Sequence, residues 1–137
     1  MPNIHEAPSA ADIKQAYAAC LTQPSLDIMC LSTNYQAIIG DYFDEVVAPQ
    51  LYHQLSTREI LPDTPANRAY AQEKDATRNQ IRFIRADRQS QSDLLVGPNL
   101  AALISFGQTP GATLIKDQER ISSLAILFET AWQTCSE

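Results

Sequence analysis

The chain has 137 residues, of which 45% are hydrophobic and 19% are charged. This length fits one globular domain with its own core, and no apolar run approaches the roughly eighteen residues that a membrane span requires. Sixteen acidic against ten basic residues give a formal net charge of -6 at pH 7, which disfavours direct binding to duplex nucleic acid. The N-terminus has no basic stretch followed by an apolar one, so the sequence predicts a cytoplasmic protein without a secretory signal.

Helices and strands alternate in the first half of the chain. Residues 1–8 are predicted to form an N-terminal tail. Apolar residues recur at helical spacing over residues 9–21, and Ser9 and Asp12 have the spacing of a capping box. The run LDIMCLST, residues 26–33, is short and apolar, which predicts a strand buried on both faces.

The middle of the chain repeats this alternation. An apolar stripe over residues 35–46 predicts one amphipathic helix, and TREIL, residues 57–61, is a short strand candidate. Thr64 followed by Pro65 is typical of a helix start, with a hydroxyl cap and proline at the first helical position. The helix is expected to continue to about residue 79.

The second half predicts strands and then one long helix. Residues 80–86 alternate, which predicts a third strand. Ile81, Phe83 and Arg85 are expected on one face, and Arg82 and Ile84 on the other. Three further apolar runs, separated by Pro-Asn and Pro-Gly turns, predict a β-meander. A clean apolar stripe over about residues 117–135 predicts a helix packed on the sheet, and Trp132, which continues it, is expected to anchor the core.

Together these elements predict one α/β domain over residues 9–137, with a mixed sheet in two or three layers. The sequence shows no constellation that would support catalysis or bind a cofactor. His5 falls in the tail and His53 on a helix, neither with a local partner, and no phosphate loop or dinucleotide fingerprint occurs. The three cysteines have no C-x-x-C spacing, so the sequence predicts neither a metal site nor a disulfide framework.

One local stretch is basic despite the acidic net charge. The segment RNQIRFIRADR carries four arginines, which form either a solvated basic edge or a site for an anion or a partner: Arg78, Arg82, Arg85 and Arg88.

Several short motifs, taken in order, resemble the effector-binding domain of TrmB-like transcriptional regulators. The resemblance covers about Ile13 to Gln133 and includes a strand that leads into a Pro-Asp-Thr-Pro turn and a closing Phe-x-x-x-Trp helix. The matching positions are Pro62, Asp63, Thr64 and Pro65; Arg78, Arg82 and Phe83; Leu103, Ile104, Ser105 and Phe106; and Phe128, Ala131 and Trp132.

The resemblance implies a phospholipase D-like fold, with about five or six strands flanked by helices and the C-terminal amphipathic helix packed on the sheet. Catalytic proteins of that fold carry a His-x-Lys-x-x-x-x-Asp string, where this chain has Gln91, Asp93 and Pro98. Without the histidine and lysine, phosphodiesterase activity is not expected. Full regulators also carry an N-terminal winged-helix DNA-binding domain, and only about a dozen residues precede the first helix here. We expect either a stand-alone sensor-like domain or part of a longer regulator.

The sequence therefore predicts a non-catalytic regulatory domain that recognises a small molecule, such as a sugar or another metabolite, or a partner protein, and that forms a homodimer. Ligands of open α/β sheets bind beyond the carboxyl ends of the strands. The candidate ligand-binding residues at those ends are Ser32, Thr33, Asn34, Asp63, Thr64, Asn67, Arg85 and Ser105. Two alternatives stay open: a purely structural oligomerisation module, and a degenerate phosphodiesterase that uses Asp93, Arg85 and His53.

Overall fold

The structure, a computed structural model, describes residues 7–88 and 90–137. It contains five α-helices, a single π-helical turn and six strands over these residues. The helices are α1 (Pro8–Cys20), α2 (Tyr35–Ile39), α3 (Ala48–Gln54), α4 (Pro65–Gln72) and α5 (Gln118–Thr134), with the π-helical turn at Phe43–Val47. The strands are β1 (Ser25–Cys30), β2 (Ser56–Pro62), β3 (Asn79–Ile84), β4 (Ser92–Val96), β5 (Ala101–Ser105) and β6 (Gly111–Ile115).

The six strands form one mixed sheet in the order β3-β2-β1-β4-β5-β6. The pairs β1/β2 and β2/β3 are parallel, whereas β1/β4, β4/β5 and β5/β6 are antiparallel. The prediction of a mixed α/β sheet with a β-meander in the second half is confirmed. Because β4 starts opposite the end of β1, as the pairing of Cys30 with Asp93 shows, the sheet edge at the carboxyl ends of β1 to β3 also includes the start of β4.

Helices cover both faces of the sheet, so the domain has three layers. On one face, α1, α2 and α3 pack on β1, β4 and β5 in the main apolar cluster, which includes Ile13, Leu26 and Ile104. On the other face, α5 buries Ile121, Phe128 and Trp132 against the sheet. The predicted C-terminal helix and the core position of Trp132, which is 4% exposed, are confirmed.

Two predictions about helix ends are corrected, and one is confirmed. Ser9 does not cap α1, because the helix already begins at Pro8 after Ala7 and has no side-chain cap, so no capping box with Asp12 forms. Thr64 does cap α4: its hydroxyl accepts a hydrogen bond of 3.1 Å from the Asn67 amide. That helix ends at Gln72, well before residue 79, and a turn leads to β3.

The predicted single helix over residues 35–46 is interrupted. Gly40 has a φ of +59°, a left-handed conformation that glycine adopts at little steric cost, and it ends α2 after five residues. The chain resumes as the π-helical turn and α3, with Pro49 in the first turn of α3. The apolar stripe still packs on one side, because Ile39 and Val47 both belong to the main core cluster.

The four arginines of the basic segment make different contacts. Arg82 donates a hydrogen bond of 2.8 Å to the Trp132 carbonyl and lies over the indole ring. Arg78 donates to the His53 carbonyl, and Arg85 forms an ion pair of 2.6 Å with Asp87. The backbone amide of Arg88 donates to the Arg85 carbonyl.

Residues 1–6 of the predicted tail, including His5, lie outside the described part of the chain. Within residues 7–88 and 90–137, no helix has both the length and the apolar character that crossing a membrane requires.

Candidate functional site

A cavity of about 290 Å³ lies between the sheet and the helices, near the carboxyl ends of β1 and β2. Alternate residues of three neighbouring strands form its floor: Ile28 and Cys30, Glu59 and Leu61, and Asp93 and Leu95. The helical side contributes five aromatic rings from α1 to α4: Tyr17, Tyr35, Phe43, Tyr52 and Tyr70. Period-two alternation along the strands explains the floor, since side chains two residues apart share one face of a sheet.

Glu59 is the most deeply buried charged side chain of this cavity, with 2% of its surface exposed. Its Oε1 accepts a hydrogen bond of 3.0 Å from the Tyr52 hydroxyl, and its Oε2 accepts one of 3.2 Å from Thr57 Oγ1. Among the described residues, no Lys, Arg or His side chain lies within ion-pair distance of it. Burial raises the pKa of this carboxyl from 4.5 to about 7, partly opposed by the Thr57 hydrogen bond.

A short hydrogen-bond chain continues from Glu59 along the floor of the sheet. The Asn79 side-chain amide donates a hydrogen bond of 2.9 Å to Thr57 Oγ1, which in turn donates to Glu59. Asn79 is 2% exposed, and its Oδ1 has no hydrogen-bond partner among the residues that the structure describes. The chain fixes the Thr57 hydroxyl in its role as donor to the carboxyl.

Asp93, the second buried carboxyl, has more donors than Glu59. Its Oδ1 accepts from the backbone amides of Leu31 and Ser32, both at 3.1 Å, and its Oδ2 accepts from Ser32 Oγ at 2.9 Å and the Cys30 thiol at 3.6 Å. Burial raises the pKa of Asp93, whereas these hydrogen bonds lower it. Both oxygens are occupied, so Asp93 anchors the loop that follows β1.

Gln91, two residues before Asp93 and immediately before β4, holds the next residues of the same loop. Its Oε1 accepts hydrogen bonds from the amides of Thr33 and Asn34 at 3.0 and 3.1 Å, and its Nε2 donates to Thr33 Oγ1. Four consecutive backbone amides, from residue 31 to residue 34, therefore donate to two side chains at the start of β4. The loop at the end of β1 is well fixed.

Tyr52 and Tyr70 form an aromatic pair beside Glu59, with ring centroids 5.8 Å apart in an edge-to-face arrangement. The Lys74 ammonium lies 4.0 Å from the centroid of Tyr52 and 4.3 Å from that of Tyr70. Lys74 lines a neighbouring polar groove, which it shares with Asp44, His53 and Arg78, and it does not line the cavity. Burial raises the pKa of the Tyr70 hydroxyl well above its usual range.

Two of the eight predicted ligand-binding residues line the cavity. Ser32 is buried and donates to Asp93. Asn67 is half-buried and donates a hydrogen bond of 2.8 Å from Nδ2 to the Pro62 carbonyl. Their role as ligand contacts stays a prediction.

The other six predicted residues lie outside the cavity lining. Thr33 and Asn34 are exposed, and their backbone amides donate hydrogen bonds to the Gln91 side chain. Asn34 Nδ2 also donates a hydrogen bond to the Phe106 carbonyl. Asp63 forms a two-point ion pair with Arg68, at 2.8 and 3.0 Å. The remaining three are Thr64, which caps α4, Arg85, which pairs with Asp87, and Ser105, which lines a shallow groove beside β6.

The sequence reasoning missed Glu59, Asp93 and the aromatic rings as members of one site. For Glu59 a signal existed, because it is the one acidic residue within a strand that otherwise buries Thr57, Ile60 and Leu61. A charged side chain at a core-facing strand position is costly to bury, so its presence indicates a structural or functional role. No local signal could bring the five aromatic rings together, since they come from separate helices.

The described residues do not assemble the groups that the phosphodiesterase alternative requires. Asp93 is bonded to the loop after β1, Arg85 is paired with Asp87, and His53 lies exposed near the end of α3. Within residues 7–88 and 90–137 no cluster of His, Cys, Asp and Glu could hold a metal ion. The cavity presents buried acceptor oxygens and aromatic surface.

No protein-family model and no curated protein sequence matches the chain. Among solved structures, it is similar to TrmBL2, described as an archaeal chromatin protein that shows a novel mode of DNA binding. The TM-score is 0.59 at 12% sequence identity, and the match covers 97% of this chain and 56% of TrmBL2. At this identity the similarity establishes a shared fold, so the TrmB-like resemblance is confirmed at the level of the fold. The chain spans just over half of that protein's length.

Proposed function

We propose that this chain is a non-catalytic regulatory domain that binds a small-molecule effector in the cavity between the sheet and helices α1 to α4. The observation that carries this proposal is the cavity itself, which lies near the carboxyl ends of parallel strands, where open α/β sheets bind ligands. Its lining combines apolar and aromatic walls with a few polar groups, as small-molecule sites do. The volume of about 290 Å³ favours a small ligand.

The regulatory part of the proposal is supported by the fold that the chain shares with TrmBL2, a chromatin protein. We propose that the domain modulates transcription and that any contact with DNA is made by another domain or subunit, because the net charge of -6 opposes direct binding. A homodimer, a cytoplasmic location and a further protein partner belong to the same proposal.

A thermal-shift screen of the purified chain tests effector binding. The panel contains sugars, sugar phosphates, nucleotides, amines and amino acids, and a ligand at about 100 times its Kd adds roughly 2.7 kcal/mol of stability. Ala66→Phe supplies the site control, because Ala66 is exposed yet lines the cavity, so that a phenyl ring there reduces access. Ala69→Phe is the matched variant, exposed on the same helix and outside the cavity lining.

We expect at least one compound class to raise the melting temperature of the wild-type chain and of Ala69→Phe, but not that of Ala66→Phe. Hits that affect all three proteins equally would place binding elsewhere. A silent screen would contradict the effector proposal.

A second candidate, an oligomerisation or protein-interaction module, is favoured by the outer face of α5. Ile126 and Leu127 are 66% and 64% exposed there, which is unusual for large apolar side chains side by side on a helix. If α5 mediates a homodimer, Ile126→Glu should convert dimers to monomers in sedimentation equilibrium. The exposed Gln118→Glu in the first turn of the same helix, away from the face of Ile126 and Leu127, should not. A wild-type chain that is monomeric at high micromolar concentration would contradict this candidate.

A further inference from the structure

The charges that line the cavity are all of one sign. Its lining contains two carboxyl groups, Glu59 and Asp93, and no Lys, Arg or His among the described residues. An anionic ligand such as a phosphate or carboxylate would lose its hydration shell and meet like charge without a basic partner. The lining therefore selects against anions.

Of the two carboxyls, Glu59 is the one without adequate partners. Asp93 accepts four hydrogen bonds, two of them from backbone amides, whereas Glu59 accepts two from neutral hydroxyl groups. A buried carboxylate is costly unless an opposite charge offsets its desolvation. The Lys74 ammonium lowers the pKa of Glu59 from the neighbouring groove, but among the described residues no cation forms an ion pair with this carboxyl. Glu59 therefore lies in the cavity floor with acceptor capacity and no contacting positive charge.

The aromatic walls offer a second attraction for a positive charge. Five rings line the cavity, and their faces carry negative electrostatic potential that attracts ammonium groups. The Lys74 ammonium, within 4.3 Å of the centroids of both Tyr52 and Tyr70, already shows that these two rings accept a cation. Because Lys74 lies in the neighbouring groove, the cavity itself has no such cation.

Two polar side chains of the cavity lining are already engaged within the protein. Ser32 Oγ is committed to Asp93, and Asn67 Nδ2 is committed to the Pro62 carbonyl. A sugar with several hydroxyl groups would have to pair them with the remaining polar atoms, chiefly tyrosine hydroxyls, because each unpaired buried group is costly. A ligand with a single positive charge and otherwise apolar surface needs only the Glu59 carboxylate and the rings.

We propose that the cavity binds a small organic cation, a primary amine or a quaternary ammonium ion, with Glu59 as its counter-ion and the Tyr52 and Tyr70 rings among its aromatic walls. This inference rests on the proposed function, since it names the ligand class of the same site. It follows from the location of Glu59 in an aromatic cavity whose lining contains no cation among the described residues.

The test compares choline with 3,3-dimethyl-1-butanol, which has the same shape and hydroxyl group but carbon in place of the charged nitrogen. Isothermal titration at pH 8, with sodium chloride matched to the choline chloride, measures the affinity of both probes and of butylammonium. We expect both cations to bind and choline to bind at least about tenfold more tightly than its neutral analogue, as cation-π contacts and a buried counter-ion imply.

Two variants assign the preference to Glu59. Glu59→Gln keeps the shape and the acceptor for Tyr52 but removes the charge, and it should reduce the ratio of choline to neutral-analogue affinity by about tenfold. Glu45→Gln, which alters an exposed carboxyl, should keep the wild-type ratio. Circular dichroism of each variant confirms that the fold is intact.

The possible results test the ligand class and the location of the site separately. Equal affinity for choline and its neutral analogue, or an unchanged ratio in Glu59→Gln, would overturn the cation proposal. If a neutral compound binds the wild-type chain but not Ala66→Phe while both cations are silent, the effector site stands and the cation class fails. If the cations and the whole metabolite panel are silent, both proposals fail.

Discussion

The Tyr52 hydroxyl donates a hydrogen bond of 3.0 Å to Oε1 of Glu59, and so links α3 to the buried floor of β2. The two residues are only seven positions apart, but the helix ends and the strand begins between them. The same tyrosine ring packs edge-to-face on Tyr70 of α4. One contact thereby fixes the carboxyl and the aromatic wall of the candidate site relative to each other.

The stability of the protein should depend on the protonation of Glu59. Burial raises its folded-state pKa from 4.5 to about 7, so between these values the unfolded chain releases a proton that the folded chain keeps. Folding stability therefore falls as pH rises from about 4.5 to 7, and one pKa unit is worth about 1.4 kcal/mol. Glu59→Gln should remove this loss. The free energy of unfolding of the variant, relative to that of wild type, should therefore rise by about 3 kcal/mol between pH 4.5 and 7.5.

Urea denaturation across this pH range measures the difference. The groups around Glu59 are Tyr52, Thr57, the more distant Lys74, and the Cys30 thiol, whose pKa is raised by burial and by Asp93 and Glu59. A Glu59→Gln profile parallel to wild type from pH 4.5 to 7.5 would mean that Glu59 does not titrate in this window.

Removal of the Tyr52 hydroxyl should destabilise the carboxylate form of Glu59 relative to its protonated form. Tyr52→Phe keeps the ring but deletes one of two donors, so we expect a loss of about 1 to 2 kcal/mol at pH 8 and a further rise in the pKa of Glu59. Carbon-detected NMR titration of the Glu59 carboxyl measures the pKa. Tyr35→Phe is the matched control, because it alters another cavity ring whose hydroxyl forms no hydrogen bond in the described part of the chain. A similar shift in both variants would argue against a specific Tyr52 contact.

Asp93 should anchor the loop that follows β1. Asp93→Asn replaces one acceptor oxygen with an amide that faces donor groups, and we expect a loss of about 2 to 4 kcal/mol in the free energy of unfolding. Hydrogen exchange should accelerate at the amides of Leu31 and Ser32. Asp87→Asn, which affects an exposed ion pair, should leave these amides protected. Unchanged exchange in Asp93→Asn would show that the loop is held by other contacts.

Arg58 should fasten α5 to the sheet. It forms a two-point ion pair with Asp27, both bonds at 2.9 Å, reaches Glu129 at 3.1 Å, and lies 5.2 Å from the Trp132 ring. Arg58→Met keeps the apolar stem and should cost about 1 to 2 kcal/mol, with a shift in the fluorescence of the single tryptophan. Arg120→Met is the control, because Arg120 of α5 forms an exposed ion pair with Asp117. Identical stability of the two variants would contradict the fastening role.

Much of the fold follows from patterns that are local in the sequence. The alternation in residues 80–86, the turns of the meander and the stripe of α5 each depend on neighbours within one element. The predicted elements are all present, although β3 ends at Ile84, before Arg85. Thr64 and Pro65 also predicted the start of α4, because a cap and a first-turn proline act within a few residues. The break at Gly40 was missed, because the apolar stripe continues across it while the backbone does not.

Sequence patterns alone predicted the class of fold and placed the candidate residues at one edge of the sheet. Which side chains meet at that edge depends on tertiary packing. Glu59, Asp93 and Tyr70 come from β2, β4 and α4, and their proximity depends on strand order, register and helix packing. Burial, which makes the Glu59 carboxyl unusual, is a property of everything packed around it, so no local pattern could reveal it.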